Sequence, residues 1–119
     1  IEMTNNNIFY VARKDNQVKI NGNLGTVSSF SFTDGNVQTA TVNANIQIAF
    51  TGEPPTGTAG TMTIILVNGG SSTVTWESAV KWPGGVSPTL SSLGTDILSF
   101  VTTDGGSTIY GFVGGLNFS

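Results

Sequence analysis

The chain has 119 residues, four basic against seven acidic side chains for a net charge of −3, and neither cysteine nor histidine. One domain of this length buries a core without staples, and the missing residue types exclude disulfides, thiolate or imidazole zinc sites, Ser-His-Asp and Cys-His catalysis and histidine proton transfer. Only 9% of residues are charged, which leaves a Thr, Ser, Asn and Gly surface with little repulsion against self-association.

Arg13-Lys14 is followed at once by Asp15, and Lys19 stands nearly alone. No basic patch forms, so nucleic acid is not an expected partner. No apolar run approaches the roughly 20 residues needed to span a bilayer, so membrane insertion is not expected either. The chain opens on Ile1 rather than Met, without a basic-then-apolar signal segment, so an upstream portion is expected.

The first element is Ile8-Phe9-Tyr10-Val11, four bulky residues without strict alternation, followed by the charged turn Arg13-Lys14-Asp15-Asn16. It reads in two ways. It is a strand of the domain's own sheet, or an assembly strand that packs on a neighbouring subunit by β-augmentation. Residues 1–25 are set apart on this basis as an N-terminal strand and assembly segment, with 26–119 as the main domain.

Beyond it, period-2 alternation recurs and helical periodicity is nearly absent. Phe30 and Phe32 alternate with Ser29, Ser31 and Thr33. Val42, Ala44, Ile46, Ile48 and Phe50 share one strand face, with Asn43, Asn45 and Gln47 opposite. Met62, Ile64 and Leu66 alternate with Thr63, Ile65 and Val67, which predicts a central strand buried on both sides. Val74 and Trp76 share a face. Leu98 and Phe100 oppose Ile97 and Val101, and Tyr110 and Phe112 oppose Ile109 and Val113.

Asn21-Gly22-Asn23, Asp34-Gly35-Asn36 and Asp104-Gly105-Gly106 supply hairpin-type turn chemistry between these strands. Longer Pro/Gly connections run from Glu53 to Gly60, from Asn68 to Ser72 and from Pro83 to Pro88. The expectation is an all-β fold, an antiparallel, jelly-roll-like β-sandwich of about eight strands.

Trp76 follows Val74 in strand register and is expected in the core. Trp82, before Pro83, reads either as a cover for the core edge or as an exposed stacking platform for a sugar ring. Glycoside hydrolysis needs only two carboxyl groups, and Glu53 and Glu77 are the obvious pair. However, Glu53 sits beside two prolines and Glu77 stands four residues before Lys81, while Asp34 and Asp104 each precede Gly as turn formers. No catalytic residue, metal site or cofactor is expected. Asn117-Phe118-Ser119 matches a glycosylation sequon at the C-terminal end.

The block Thr73-Val-Thr-Trp-Glu-Ser-Ala-Val-Lys-Trp-Pro-Gly-Gly85 is followed by Pro88-Thr89-Leu90, Asp96-Ile-Leu-Ser-Phe100, Thr103-Asp-Gly-Gly106, Tyr110-Gly-Phe112 and Asn117-Phe-Ser119. In this order the pieces resemble the C-terminal β-domains of phage tail fibres and related virion proteins, over about Ser28 to Ser119. In relatives a Pro commonly follows the first Trp, where Glu77 stands here. The resemblance implies a non-enzymatic, extracellular, homotrimeric module that serves host-surface attachment on a virion. It also suggests a cell-surface glycan as a partner, with Trp82 and Tyr110 as first-choice contacts. The alternative is a subunit of a homopolymeric extracellular helical filament whose N-terminal strand, Ile8 to Val11, docks on the next subunit. Either way the chain's main partner is itself.

Overall fold

The computed structural model describes residues 17–119. The expected assembly strand Ile8-Phe9-Tyr10-Val11 lies outside the described residues. Among the described residues nine strands are present: β1 (Val18–Asn23), β2 (Val27–Ser31), β3 (Val37–Thr41), β4 (Ile46–Thr51), β5 (Gly60–Val67), β6 (Val74–Trp76), β7 (Val80–Lys81), β8 (Thr95–Thr102) and β9 (Ile109–Phe118). Two single 3-10 turns, Gly69–Ser71 and Pro83–Gly85, are the only helical pieces among the described residues.

The all-β expectation holds; the antiparallel jelly-roll does not. The larger sheet has the order β1-β3-β5-β8-β9-β7 and the smaller one β2-β4-β6. From β1 to β6 the chain alternates between the two sheets, so each strand pairs in parallel with the one two places on: β1 with β3, β3 with β5, β2 with β4 and β4 with β6. The first six strands are therefore wound as successive coils around a shared core. Antiparallel pairing enters only with β8, which lies between β5 and β9. β7 returns to parallel pairing, with β9.

The corners explain the winding. Leu24, Phe32 and Val42 occupy the short connections β1–β2, β2–β3 and β3–β4, and each packs on or within the core. An apolar residue held inside a corner keeps the chain turning around the core, whereas a hairpin loop projects into water. Asp34-Gly35-Asn36 thus carries the chain from one sheet to the other, and Asn21-Gly22-Asn23 forms the irregular end of β1. Of the three expected hairpin turns only Asp104-Gly105-Gly106 joins neighbours in one sheet, β8 and β9. Both glycines there take positive φ, 73° and 89°, which the absence of a Cβ permits. The run expected as one strand from Val42 to Phe50 is split: Val42 to Asn45 form a corner, and β4 begins at Ile46.

Both sheets contribute to one core. Phe30 of β2, Ile48 and Phe50 of β4, Met62, Ile64 and Leu66 of β5, Leu98 and Phe100 of β8 and Ile109 of β9 are all buried. Phe100 is its aromatic hub, with ring centroids 4.8 Å from Phe50, 5.4 Å from Trp76 and 5.7 Å from Trp82. β5 is central in its sheet but buries only one face, because Thr63, Ile65 and Val67 are half-exposed.

Candidate interaction surfaces

Two fully buried polar side chains lock the framework, and sequence reading singled out neither for that role. Gln38 of β3 donates from its amide to the Ser31 carbonyl at 2.8 Å and the Gly35 carbonyl at 3.2 Å, while its oxygen accepts from Asn21. It ties the β2–β3 corner to β1. Asp96 of β8 accepts from the Ser91 backbone N–H and hydroxyl, both at 2.7 Å, and from the Asn117 N–H at 2.9 Å. Burial pushes the Asp96 carboxyl up, but the three hydrogen bonds together outweigh it and hold the group below the usual carboxylate range. Asp104 is also held low, chiefly by the Thr108 N–H.

Of the two carboxylates that a glycosidase would pair, Glu77 has a hydrogen-bond partner. Glu77 accepts the Phe50 backbone N–H at the end of β4. Glu53 lies against Gly106 in the β8–β9 turn, where an added Cβ would strike its side chain.

Trp76 is half-buried and packs edge-on against Trp82, with ring centroids 5.2 Å apart. The expected core placement is therefore at the core's margin. Trp82 reaches beneath β9 at Gly111, where a Cβ would come within 2.9 Å of the indole. Glycine at 111 gives the ring its room. On its other side Trp82 borders a shallow trough of about 380 Å³, lined with Pro83, Val86, Pro88, Phe112 and Val113. Tyr110 points the other way. It pairs with Val101 and Lys81 on the outward face of the larger sheet and is 56% exposed. The two candidate glycan contacts, Trp82 and Tyr110, thus lie on opposite faces and do not make one platform.

The outward face of the larger sheet carries several exposed apolar side chains. Registered partners share a face, so Val18, Val37, Thr63, Ser99 and Phe112 form one row across five strands, and Ile20, Thr39, Ile65, Ile97 and Gly115 a second. Ile20 is 78% and Phe112 45% exposed. Phe118 lies over Gly115, where its ring would meet an added Cβ. Among the described residues β9 also has an open flank. Its pairing with β7 covers only Ile109 and Tyr110, and the strand runs on to Phe118.

No helix of the described residues is long and apolar enough to cross a membrane, and no group of three or more metal-ligating side chains occurs among them. Comparison with family models, with curated proteins and with solved structures returns no match.

Proposed function

We propose that this chain is a non-enzymatic, extracellular, self-assembling fibre module of the phage tail-fibre type, used in host-surface attachment. The observation that carries the reading is the outward face of the larger sheet, where Val18, Ile20, Tyr110, Phe112 and Phe118 remain exposed. Monomers rarely present a broad apolar face, and its burial contributes about 25 cal/mol per Å² before the costs of association. The unpaired length of β9 adds a row of backbone groups open to pairing. Sparse charge removes the usual obstacle to like copies meeting, and the ordered motifs from Thr73 to Ser119 support the fibre family.

In this reading the working state is a trimer on a virion surface, and a cell-surface glycan is met by Trp82 beside its trough or by Tyr110. Static light scattering and electron microscopy test it. Three-fold particles are the expected result; a 12.3 kDa monomer at high micromolar concentration overturns it. On a glycan array, binding that survives Trp82→Ala and Tyr110→Ala together removes both residues as contacts.

The placement of β1 and β9 toward opposite sides of one sheet favours a second reading, the homopolymeric helical filament. A head-to-tail contact between unlike edges does not close and so propagates. A long helical repeat in micrographs, with assembly lost in Phe9→Asp/Val11→Asp, selects this one.

A further inference from the structure

The sequence contains two Asn-Gly pairs, Asn21-Gly22 and Asn68-Gly69. In such a pair the glycine nitrogen, with no side chain beside it, can attack the asparagine Cγ. The fold obstructs that attack at the second pair. Gly69 is buried, and a Cβ there would come within 2.9 Å of both Leu66 and Leu90. Asn68 is clamped on Gly94: its N–H donates to the Gly94 carbonyl at 2.8 Å, and its side-chain oxygen accepts the Gly94 N–H at 3.2 Å.

The first pair is placed otherwise. Asn21-Gly22 lies on β1, in the register break between Ile20 and Asn23, so Gly22 has no partner on β3. Gly22 is exposed, its φ is 66°, and nothing lies within 4 Å of where a Cβ would stand. Of this pair it is the Asn21 amide that is held. Its nitrogen donates to the Gln38 side-chain oxygen and to the Thr39 carbonyl, both at 3.2 Å. A backbone carbonyl only accepts, which fixes the nitrogen on that side. These two bonds slow the attack, but the nucleophile beside them is unrestrained by β3. They also tie β1 to β3, and Gln38 cannot turn its amide to meet a different partner, because its own nitrogen is engaged by the Ser31 and Gly35 carbonyls.

We propose that Asn21 is a deamidation site, and that its conversion loosens β1 from β3. The Gly22 nitrogen bonds to Asn21 Cγ as the Cγ–Nδ2 bond breaks, and the Gly22 proton leaves with the amide nitrogen as ammonia. The resulting succinimide is opened by water at either carbonyl, giving aspartate or isoaspartate. One water is consumed and one ammonia released, with no oxidant or cofactor. The new carboxylate only accepts, so it faces the Gln38 oxygen and the Thr39 carbonyl with no donor to offer either. Isoaspartate further lengthens the β1 backbone by a methylene. The inference does not rest on the fibre reading, because it concerns the chemistry of one strand and not what the molecule meets.

Peptide mapping of the full chain by mass spectrometry, after incubation at mildly alkaline pH, tests the site, with the same chain in denaturant as the reference for each pair. Relative to its own rate in denaturant, Asn21 should convert about tenfold faster than Asn68, where attack waits on local unfolding. Aspartate and isoaspartate should both appear at position 21, as opening of a ring requires. Equal suppression at the two pairs overturns the proposal, and so does aspartate without isoaspartate. Hydrogen exchange followed by NMR tests the consequence. In Asn21→Asp the β1 amides should exchange on the order of tenfold faster, while those of β5 and β8 keep their rates. If that variant does not fold, Asn21→Ser removes the same two donors without adding a charge and repeats the comparison. Unchanged exchange in β1 overturns the link between the modification and the strand.

Discussion

The wound half, β1 to β6, and the hairpin half, β8 and β9, each contain a buried polar side chain with three hydrogen bonds, but of different kinds. Gln38 serves the first as a neutral amide that donates twice and accepts once. Asp96 serves the second as a carboxylate that only accepts, three times, from two partners. A corner between sheets presents outward-turned carbonyls, and an amide's NH₂ satisfies two of them. The loop from Ser91 to Asp96 and the end of β9 present N–H and O–H donors, which suit an anion. The local backbone thus decides the chemistry of the lock, and of the two locks Asp96 is the one that can exchange a proton.

Phe100→Ala should have the largest effect, because that ring joins the halves through Phe50 of the wound part and Trp76 and Trp82 at its margin. A loss of about 4 kcal/mol is expected from the cavity and the forfeited contacts. Chemical denaturation should still show one transition. Two separated transitions would show that the halves unfold independently and that the shared core couples them weakly.

Asp96→Asn comes next, at about 3 kcal/mol, since the new amide places an NH₂ against a donor it cannot accept from. The sign of the pH dependence follows from the lowered pKa. Between the folded value and the unfolded value near 4, the unfolded chain binds more protons, so stability rises with pH there. The contribution is complete above the unfolded pKa and is lost as pH falls through the folded one. Melting curves of Asp96→Asn across the acid range should therefore be flatter than those of the unaltered protein. Asp104, held low in the same half, should leave part of the slope. An unchanged slope would mean that Asp96 is not ionised in the fold.

Gln38→Ala should cost about 2 kcal/mol by stranding the Gly35 carbonyl and taking one of two donors from the Ser31 carbonyl, which keeps the Asp34 N–H. Its loss should be the same at pH 3 and pH 7, because no proton is exchanged. A loss that changes with pH would break the contrast between the two locks.

How much of this was legible in the sequence differs between the halves in the same way. Alternation located strands in both, because a residue's side is fixed by parity alone. It could not say which sheet a strand joins. Asp34-Gly35-Asn36 and Asp104-Gly105-Gly106 look alike as turn chemistry, yet one is a corner and the other a hairpin. The available signal was the residue beside the turn: Phe32 enters the core, whereas Thr103 to Thr108 contain nothing apolar. Trp76 and Trp82 were legible as aromatic neighbours of the core. Gln38 and Asp96 were not legible as locks, because their partners come from corners and loops that only the winding brings within reach.

The smallest effect on folding belongs to the outward face, and there the halves should again differ. Tyr110 and Phe112 on β9 and Val18 and Ile20 on β1 are exposed on the same face of the larger sheet. Tyr110→Ser/Phe112→Ser and Val18→Ser/Ile20→Ser should each leave stability within about 0.5 kcal/mol, as surface changes away from caps and cores do. Their effects on assembly should be unequal. β9 offers both apolar side chains and, among the described residues, an unpaired backbone flank, so contacts there combine burial with strand pairing, while β1 at the far edge offers a shorter strand. Light scattering should show the β9 pair reducing the assembled mass toward 12.3 kDa and the β1 pair reducing it less. Equal losses would make the whole face one interface. Loss in the β1 pair alone would move the contact to the wound half.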